Sequence, residues 1–401
     1  MATFILTFLL ISIVATESEF SRNMFSLPST SRLPGIRTTS LQIDKMGRTF
    51  VSAGNQLYKL NGSLDLEETR NLTSDVVNIS LNVDGMWLVV CLTDLSCEVY
   101  NTTNLSAGPV FRRENVIRSP ENIALFAGND SFYFGSITVG SSGIQQQIIL
   151  SRHGFAGSQN RVQVERNYDI DQSGFERNMY GGFVRDSNAY YFAMDNNPVD
   201  RRNIRVMRVC HNSDLSALYE LTLGCGGSIP SLDARITGVS IVENFAGISG
   251  PVVILSRNRL TSSQNYVCLY SLINIDTIMQ SKYNSCSVAT TPRDREQIEL
   301  AWRNLAIFCY RFRVNLGTMT TLIILHTPFF FQPLNNCHFM TSSPSALDDI
   351  ETNVLNEIFT INLHNNFITA STAVVVESFS FVFVAFINEN NSSFIVGVSQ
   401  T

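Results

Sequence analysis

Charge is scarce in this chain of 401 residues: 15% are Asp, Glu, Lys or Arg, and the formal net charge is -6. No basic stretch is dense enough to follow a phosphate backbone, which excludes nucleic acid as a partner. The richest cationic group, Arg201, Arg202, Arg205 and Arg208, reads as the solvated tip of a hairpin. Long apolar runs are also missing. Residues 322–331 are strongly apolar but short, and His326 and Pro328 interrupt them; residues 370–387 carry Glu377, Ser378 and Ser380. Neither reaches the roughly 18 uncharged apolar residues of a membrane helix, so no span is expected.

Signatures of chemistry are absent as well. The chain has no GxSxG elbow, no HExxH, no glycine loop for phosphate, no CxxC and no Cys–His group at zinc spacing. Its five histidines, His153, His211, His326, His338 and His364, are scattered. His211 follows Cys210 and His338 follows Cys337, and in an exported chain a disulfide beside a histidine is the simpler reading of both. Asp169, Asp171 and Asp195 fall in or next to loops without the spacing of a calcium loop. No enzyme activity, cofactor or metal is expected.

What the chain does have points outside the cell. Residues 4–14 are apolar except for Thr7 and Ser12, and Ala15, Thr16 and Ser18 follow. That is the core and cleavage site of a signal peptide spanning 1–16, although no Lys or Arg stands near Met1. Eight cysteines, Cys91, Cys97, Cys210, Cys225, Cys268, Cys286, Cys309 and Cys337, suit an oxidising compartment and disulfides. Asn61, Asn71, Asn78, Asn101, Asn104, Asn129, Asn390 and Asn391 each precede Ser or Thr by two residues and are expected to carry glycans.

Strand patterns dominate the remainder. Residues 39–60 read as a hairpin turned at Lys45-Met46-Gly47-Arg48, with a second turn at Gly54-Asn55. The theme repeats at 76–81 and 86–91 around Asp84-Gly85. Further short runs follow at 122–127, 131–134, 147–151, 182–184, 190–194, 205–210, 239–242, 252–255, 266–272, 368–376, 379–386 and 394–398. Regular short strands in a chain this long favour four-stranded blades arranged radially over a single sandwich. Two segments break the pattern. Ile275, Ile278, Met279 and Tyr283 fall at helical spacing in 273–284, and Ile298, Leu300, Trp302 and Leu305 stand among Asp, Glu and Arg in 293–308; both segments read as helices.

Several motifs recur in a fixed order: Cys91-Leu92-Thr93-Asp94-Leu95-Ser96-Cys97, Ser131-Phe132-Tyr133-Phe134-Gly135, Gly181-Gly182-Phe183 and Val209-Cys210. Tyr219-Glu220, Cys268-Leu269-Tyr270-Ser271 leading into a helix, and Val374-Val375-Val376-Glu377 follow. Together they resemble the sema domain of plexins, the cell-surface receptors for semaphorins. The resemblance implies an all-β, sema-type, seven-bladed propeller over 17–401, incomplete at the C-terminus, with a helical insertion at about 273–337. It implies the disulfides Cys91–Cys97, Cys225–Cys268, Cys286–Cys309 and Cys210–Cys337. The family's second small disulfide loop is missing, and Gln332-Pro333-Leu334 precedes Cys337 where plexins have the reverse order. It further implies an extracellular receptor domain that binds a semaphorin-type protein by recognition, with a homodimer as a further partner. The alternatives are a secreted semaphorin-like ligand, a soluble decoy, or a secreted propeller hydrolase, which would need acids or histidines around its channel.

Overall fold

A computed structural model of the protein describes residues 40–63, 65–82, 84–94, 96–112, 122–127, 131–139, 146–154, 162–170, 176–185, 188–196, 202–210, 218–225, 234–245, 247–259, 265–279, 359–362, 367–376, 379–387 and 393–399. The signal peptide, residues 293–308 and Cys286, Cys309 and Cys337 lie outside them.

The described residues fold as consecutive meanders. Blade one is β1 (Ser40–Ile43), β2 (Thr49–Ala53), β3 (Gln56–Leu60) and β4 (Leu66–Asn71). Blade two is β5 (Val76–Leu81), β6 (Trp87–Leu92), β7 (Ser96–Asn101) and β8 (Ala107–Arg112). Blade three is β9 (Asn122–Ala127), β10 (Ser131–Val139), β11 (Gln146–Gly154) and β12 (Val162–Ile170). Blade four is β13 (Glu176–Arg185), β14 (Asn188–Asn196), β15 (Arg202–Cys210) and β16 (Leu218–Leu223). Blade five is β17 (Ala234–Phe245), β18 (Ile248–Arg259), β19 (Tyr266–Ser271) and β20 (Phe359–Asn362). A three-stranded sheet, β21 (Phe367–Val376), β22 (Phe379–Ile387) and β23 (Ser393–Ser399), follows.

The expectation of seven blades is therefore corrected. The described residues contain five complete four-stranded blades and one three-stranded sheet. The first strands stand side by side around an axis, β1 by β5, β5 by β9, β9 by β13, β13 by β17 and β17 by β21, and β21 comes back against β1. Apolar faces fill each gap. Phe50 and Leu57 of blade one pack with Ile79 and Val90 of blade two. At the last gap Leu41 and Tyr58 of blade one pack with Ala370 and Ala385 of the three-stranded sheet. Blade number is decided by this face-to-face packing, which strand periodicity does not encode.

Direction follows from the meander. Each strand runs against the one before, so the first-to-second and third-to-fourth turns of every blade share one face, termed the upper face. Links to the next blade share the lower face. Some close approaches require glycine: a Cβ on Gly182 of β13 would come to 2.1 Å from the Tyr190 carbonyl oxygen of β14.

The single described helix, α1, covers 272–279 directly after β19. The Asn274 amide donates to Ser271 Oγ at 3.4 Å, which caps its first turn. Leu272, Ile275 and Met279 are buried against blades four and five, as the apolar spacing requires.

Candidate interaction face

The upper face of blades one and two is sewn together by polar side chains. In the β1–β2 turn the Asp44 carboxylate accepts the Met46 and Arg48 amides, each at 2.9 Å, and Arg48 Nε at 2.6 Å. Arg48 Nη2 crosses to the next blade and donates to the Gly85 carbonyl at 3.0 Å. Thr102 Oγ1 donates to the same carbonyl at 2.6 Å. Lys59 is buried, and its Nζ donates to the Thr103 carbonyl at 2.7 Å and pairs with Glu67 at 3.1 Å. This framework leaves Met46 and Met86 at adjacent turns, 76% and 55% exposed.

Four sequon asparagines cluster on the same two blades. Asn61, Asn101 and Asn104 sit in or at the β3–β4 and β7–β8 turns of the upper face, and Asn71 ends β4. Three of the four use Oδ1 to accept an amide two residues on, from Ser63, Thr103 and Ser106, which fixes the side chain in an Asx turn. Asn78 differs. It lies on the innermost strand β5, is 8% exposed and faces the axial opening, so the folded chain has no room there for a glycan. Asn129, Asn390 and Asn391 lie outside the described residues.

Blades four and five carry a second built feature. Asp276 of α1 accepts the Tyr190 hydroxyl at 3.0 Å and pairs with Arg208 Nη1 at 3.2 Å. The Arg208 guanidinium carbon stands 5.9 Å from the Tyr190 ring centre. Arg185 at the end of β13 pairs with Glu243 of β17 across the blade gap. Gly250, near the β17–β18 tip, comes against Ile273 of α1. The result is a locked ridge with Ile273 53% exposed on it.

These arginines revise the sequence reading. Arg205 and Arg208 are not at a solvated tip: each is 1% exposed, and Arg205 Nη1 donates to Thr222 Oγ1 at 2.7 Å. The nine-residue strand β15 extends N-terminally to Arg202, so both lie within the sheet, and being three residues apart they point to opposite faces of blade four. Asp169 and Asp195 are the penultimate residues of β12 and β14.

Two disulfides lie in the described residues. Cys91 and Cys97 are cross-strand partners on β6 and β7, with Cα atoms 4.0 Å apart, so the bond closes a hairpin rather than a loop beside the sheet. Cys225, just past β16, bonds to Cys268 of β19 at a Cα separation of 5.7 Å and ties the blade-four link to blade five. All four cysteines are buried. Cys210 ends β15, and its expected partner lies outside the described residues.

The axial opening is lined by neutral groups including Gln42, Asn78, Thr237 and Ser371. None of its described lining residues is acidic or a histidine. His153, which the sequence did not distinguish, contacts Ser151 Oγ at 2.8 Å and stacks on Phe132 at 5.2 Å. Ser151 is 2% exposed, so its hydroxyl is not offered to a substrate. No group of three or more His, Cys, Asp or Glu able to hold a metal occurs among the described residues.

No protein-family model matches the chain, and no curated protein matches it. Two solved structures of the full extracellular region of plexin A4 do, one with domains 1 to 8 and one with domains 1 to 10. Each gives a TM-score of 0.54 at 15% identity over 91% of this chain. The likeness covers 45% and 35% of those chains, so this chain spans less than half of either. What is shared is the fold: a β-propeller of the kind found in the plexin A4 extracellular region.

Proposed function

We propose that this chain is the recognition propeller of a plexin-like cell-surface receptor and that its ligand is a semaphorin-type protein. The observation that carries the reading is the propeller shared with the plexin A4 extracellular region over 91% of the chain. The run of plexin-like motifs from Asp44 to Glu377 adds to it. Two buried disulfides fit the oxidising space outside the cell. No helix among the described residues is long and apolar enough to cross a membrane. The signal peptide at 1–16, the sema domain over 17–401 and glycans at Asn61, Asn71, Asn101, Asn104, Asn129, Asn390 and Asn391 belong to the same reading; Asn78 does not. The remaining pairs, Cys210–Cys337 and Cys286–Cys309, complete the framework.

The chain acts by contact and not by catalysis. Glycans crowd the upper face of blades one and two, so the ligand meets the bare ridge of blades four and five around Ile273. A rigid, neutral surface of this kind suits a protein ligand whose affinity is set by a few central side chains. A second copy of the chain is the other partner expected.

The test is binding of the soluble, glycosylated chain to immobilised semaphorins of the same organism. Saturable binding that Ile273→Asp weakens, at an unchanged melting temperature, supports the reading. A folded chain with intact disulfides that binds none of them overturns it.

A further inference from the structure

Among the described residues two methionines are exposed, Met46 and Met86, and each stands in the turn between the first and second strands of its blade. Each of these turns touches a sequon of the same blade. A Cβ on Gly47, next to Met46, would come to 3.5 Å from the Gly62 Cα of the Asn61-Gly62-Ser63 triplet. The Met86 carbonyl accepts the amide of Thr102, the middle residue of Asn101-Thr102-Thr103, at 3.0 Å. The same number of residues separates Met46 from Asn61 and Met86 from Asn101, so the pairing recurs at one place in two successive blades. The four turns make one patch. A Cβ on Gly85 would come to 3.0 Å from the Asp44 Cβ, and Lys59 Nζ reaches the Thr103 carbonyl. Asn61 and Asn101 are half-buried in this patch. Apolar side chains gathered and exposed in one place mark a contact surface.

We propose that this patch is covered by the chain's own N-linked sugars, the first sugars on Asn61 lying over Met46 and those on Asn101 over Met86. Position argues for this occupant. In both blades the attachment point stands in the turn that touches the methionine turn, and a tethered group meets its neighbour at high effective concentration. The chemistry fits as well. N-acetylglucosamine offers an acetamido methyl and the C–H face of its ring to a soft, polarisable thioether, while its hydroxyls stay in water. Arg48, bonded to Asp44 and to the Gly85 carbonyl, holds the two methionine turns together, so the surface is rigid before any sugar is attached. The inference rests on the glycans of the proposed function and adds what they cover: the upper face of blades one and two is closed by sugar rather than open to a protein.

The experiment follows methionine oxidation by chloramine-T in the secreted, glycosylated chain, with peptide mapping of both the sulfoxides and glycan occupancy. Ser63→Ala and Thr103→Ala each destroy one sequon and keep its asparagine and the backbone hydrogen bonds of the turn. Ser63→Ala should speed oxidation of Met46 several-fold and leave Met86 unchanged, and Thr103→Ala should do the reverse. Thr73→Ala, which removes the sequon of Asn71 at the far end of β4, should move neither. In the unsubstituted glycoprotein, nuclear Overhauser contacts should join the methionine methyls to N-acetyl protons, and they decide the matter if a variant fails to fold. Occupied sequons with oxidation rates indifferent to Ser63→Ala and Thr103→Ala overturn the inference and leave the glycans standing. An empty sequon overturns its own pair and that part of the glycan reading. Release of Met86 by Ser106→Ala instead of Thr103→Ala assigns its cover to Asn104 and overturns the Asn101 pairing.

Discussion

Arg208 of β15 and Asp276 of α1 lie 68 residues apart in the chain and meet at 3.2 Å. The guanidinium is almost completely buried, while the carboxylate keeps 29% of its surface exposed. The pair, with the Tyr190 hydroxyl on the same carboxylate, fixes a short helix across two blades. An isolated helix of eight residues has little stability of its own, so its position depends on such contacts. Asp276→Asn keeps the shape and removes the charge. We expect a loss of about 1–3 kcal/mol in urea unfolding, since a hydrogen-bonded charge loses its counter-charge. Tyr190→Phe should cost less, and the double variant should cost less than the sum of the two, because both act on one carboxylate.

Alkaline pH should destabilise the protein through its tyrosines. Tyr191 is completely buried, and burial holds its phenol well above the usual value of 10.0. Burial, then the hydrogen bond and charge of Glu98, raise Tyr100 as well. A raised folded pKa means that the stabilising term is complete below the unfolded value. It is lost as pH climbs from about 10 toward the folded pKa, because only the unfolded chain can release the proton. Unfolding free energy measured against pH should therefore fall above pH 10, and the fall should be shallower in Tyr191→Phe. A flat profile through that range would show that these phenols ionise in place.

The Cys225–Cys268 bond closes a sequence separation of 43 residues. Chain entropy alone assigns such a closure about 4 kcal/mol. Replacing both cysteines with Ser should sharply lower secretion and melting temperature, since two buried sulfurs are also lost from the core between blades four and five. Replacing Cys91 and Cys97 should cost less, because their sequence separation is only 6. Equal effects of the two double variants would argue against an entropic origin.

Glycan occupancy should divide by burial. Peptide mapping of the secreted chain after enzymatic deglycosylation should find Asn61, Asn71, Asn101 and Asn104 converted and Asn78 untouched, since Asn78 is 8% exposed at the axis. Full occupancy of Asn78 would mean that β5 does not hold the innermost position.

The sequence by itself determined the class of fold and the places where strands begin to turn. Alternation, and the glycines at positive φ in the turns, Gly47, Gly54 and Gly85, are local properties that act over a few residues. Ile275 and Met279 likewise announced the helix, whose described extent is 272–279 against the expected 273–284. The strands it did not announce are mostly outermost ones: β4, with five of its six residues exposed, has no buried face to impose an alternation. Tertiary structure alone decided how many sheets fit around the axis. It also decided that Arg205 and Arg208 are buried and that Asn78 is hidden. Each of these depends on which sheet faces which across gaps spanning tens of residues, and residues so far apart leave no mark on one another's local pattern.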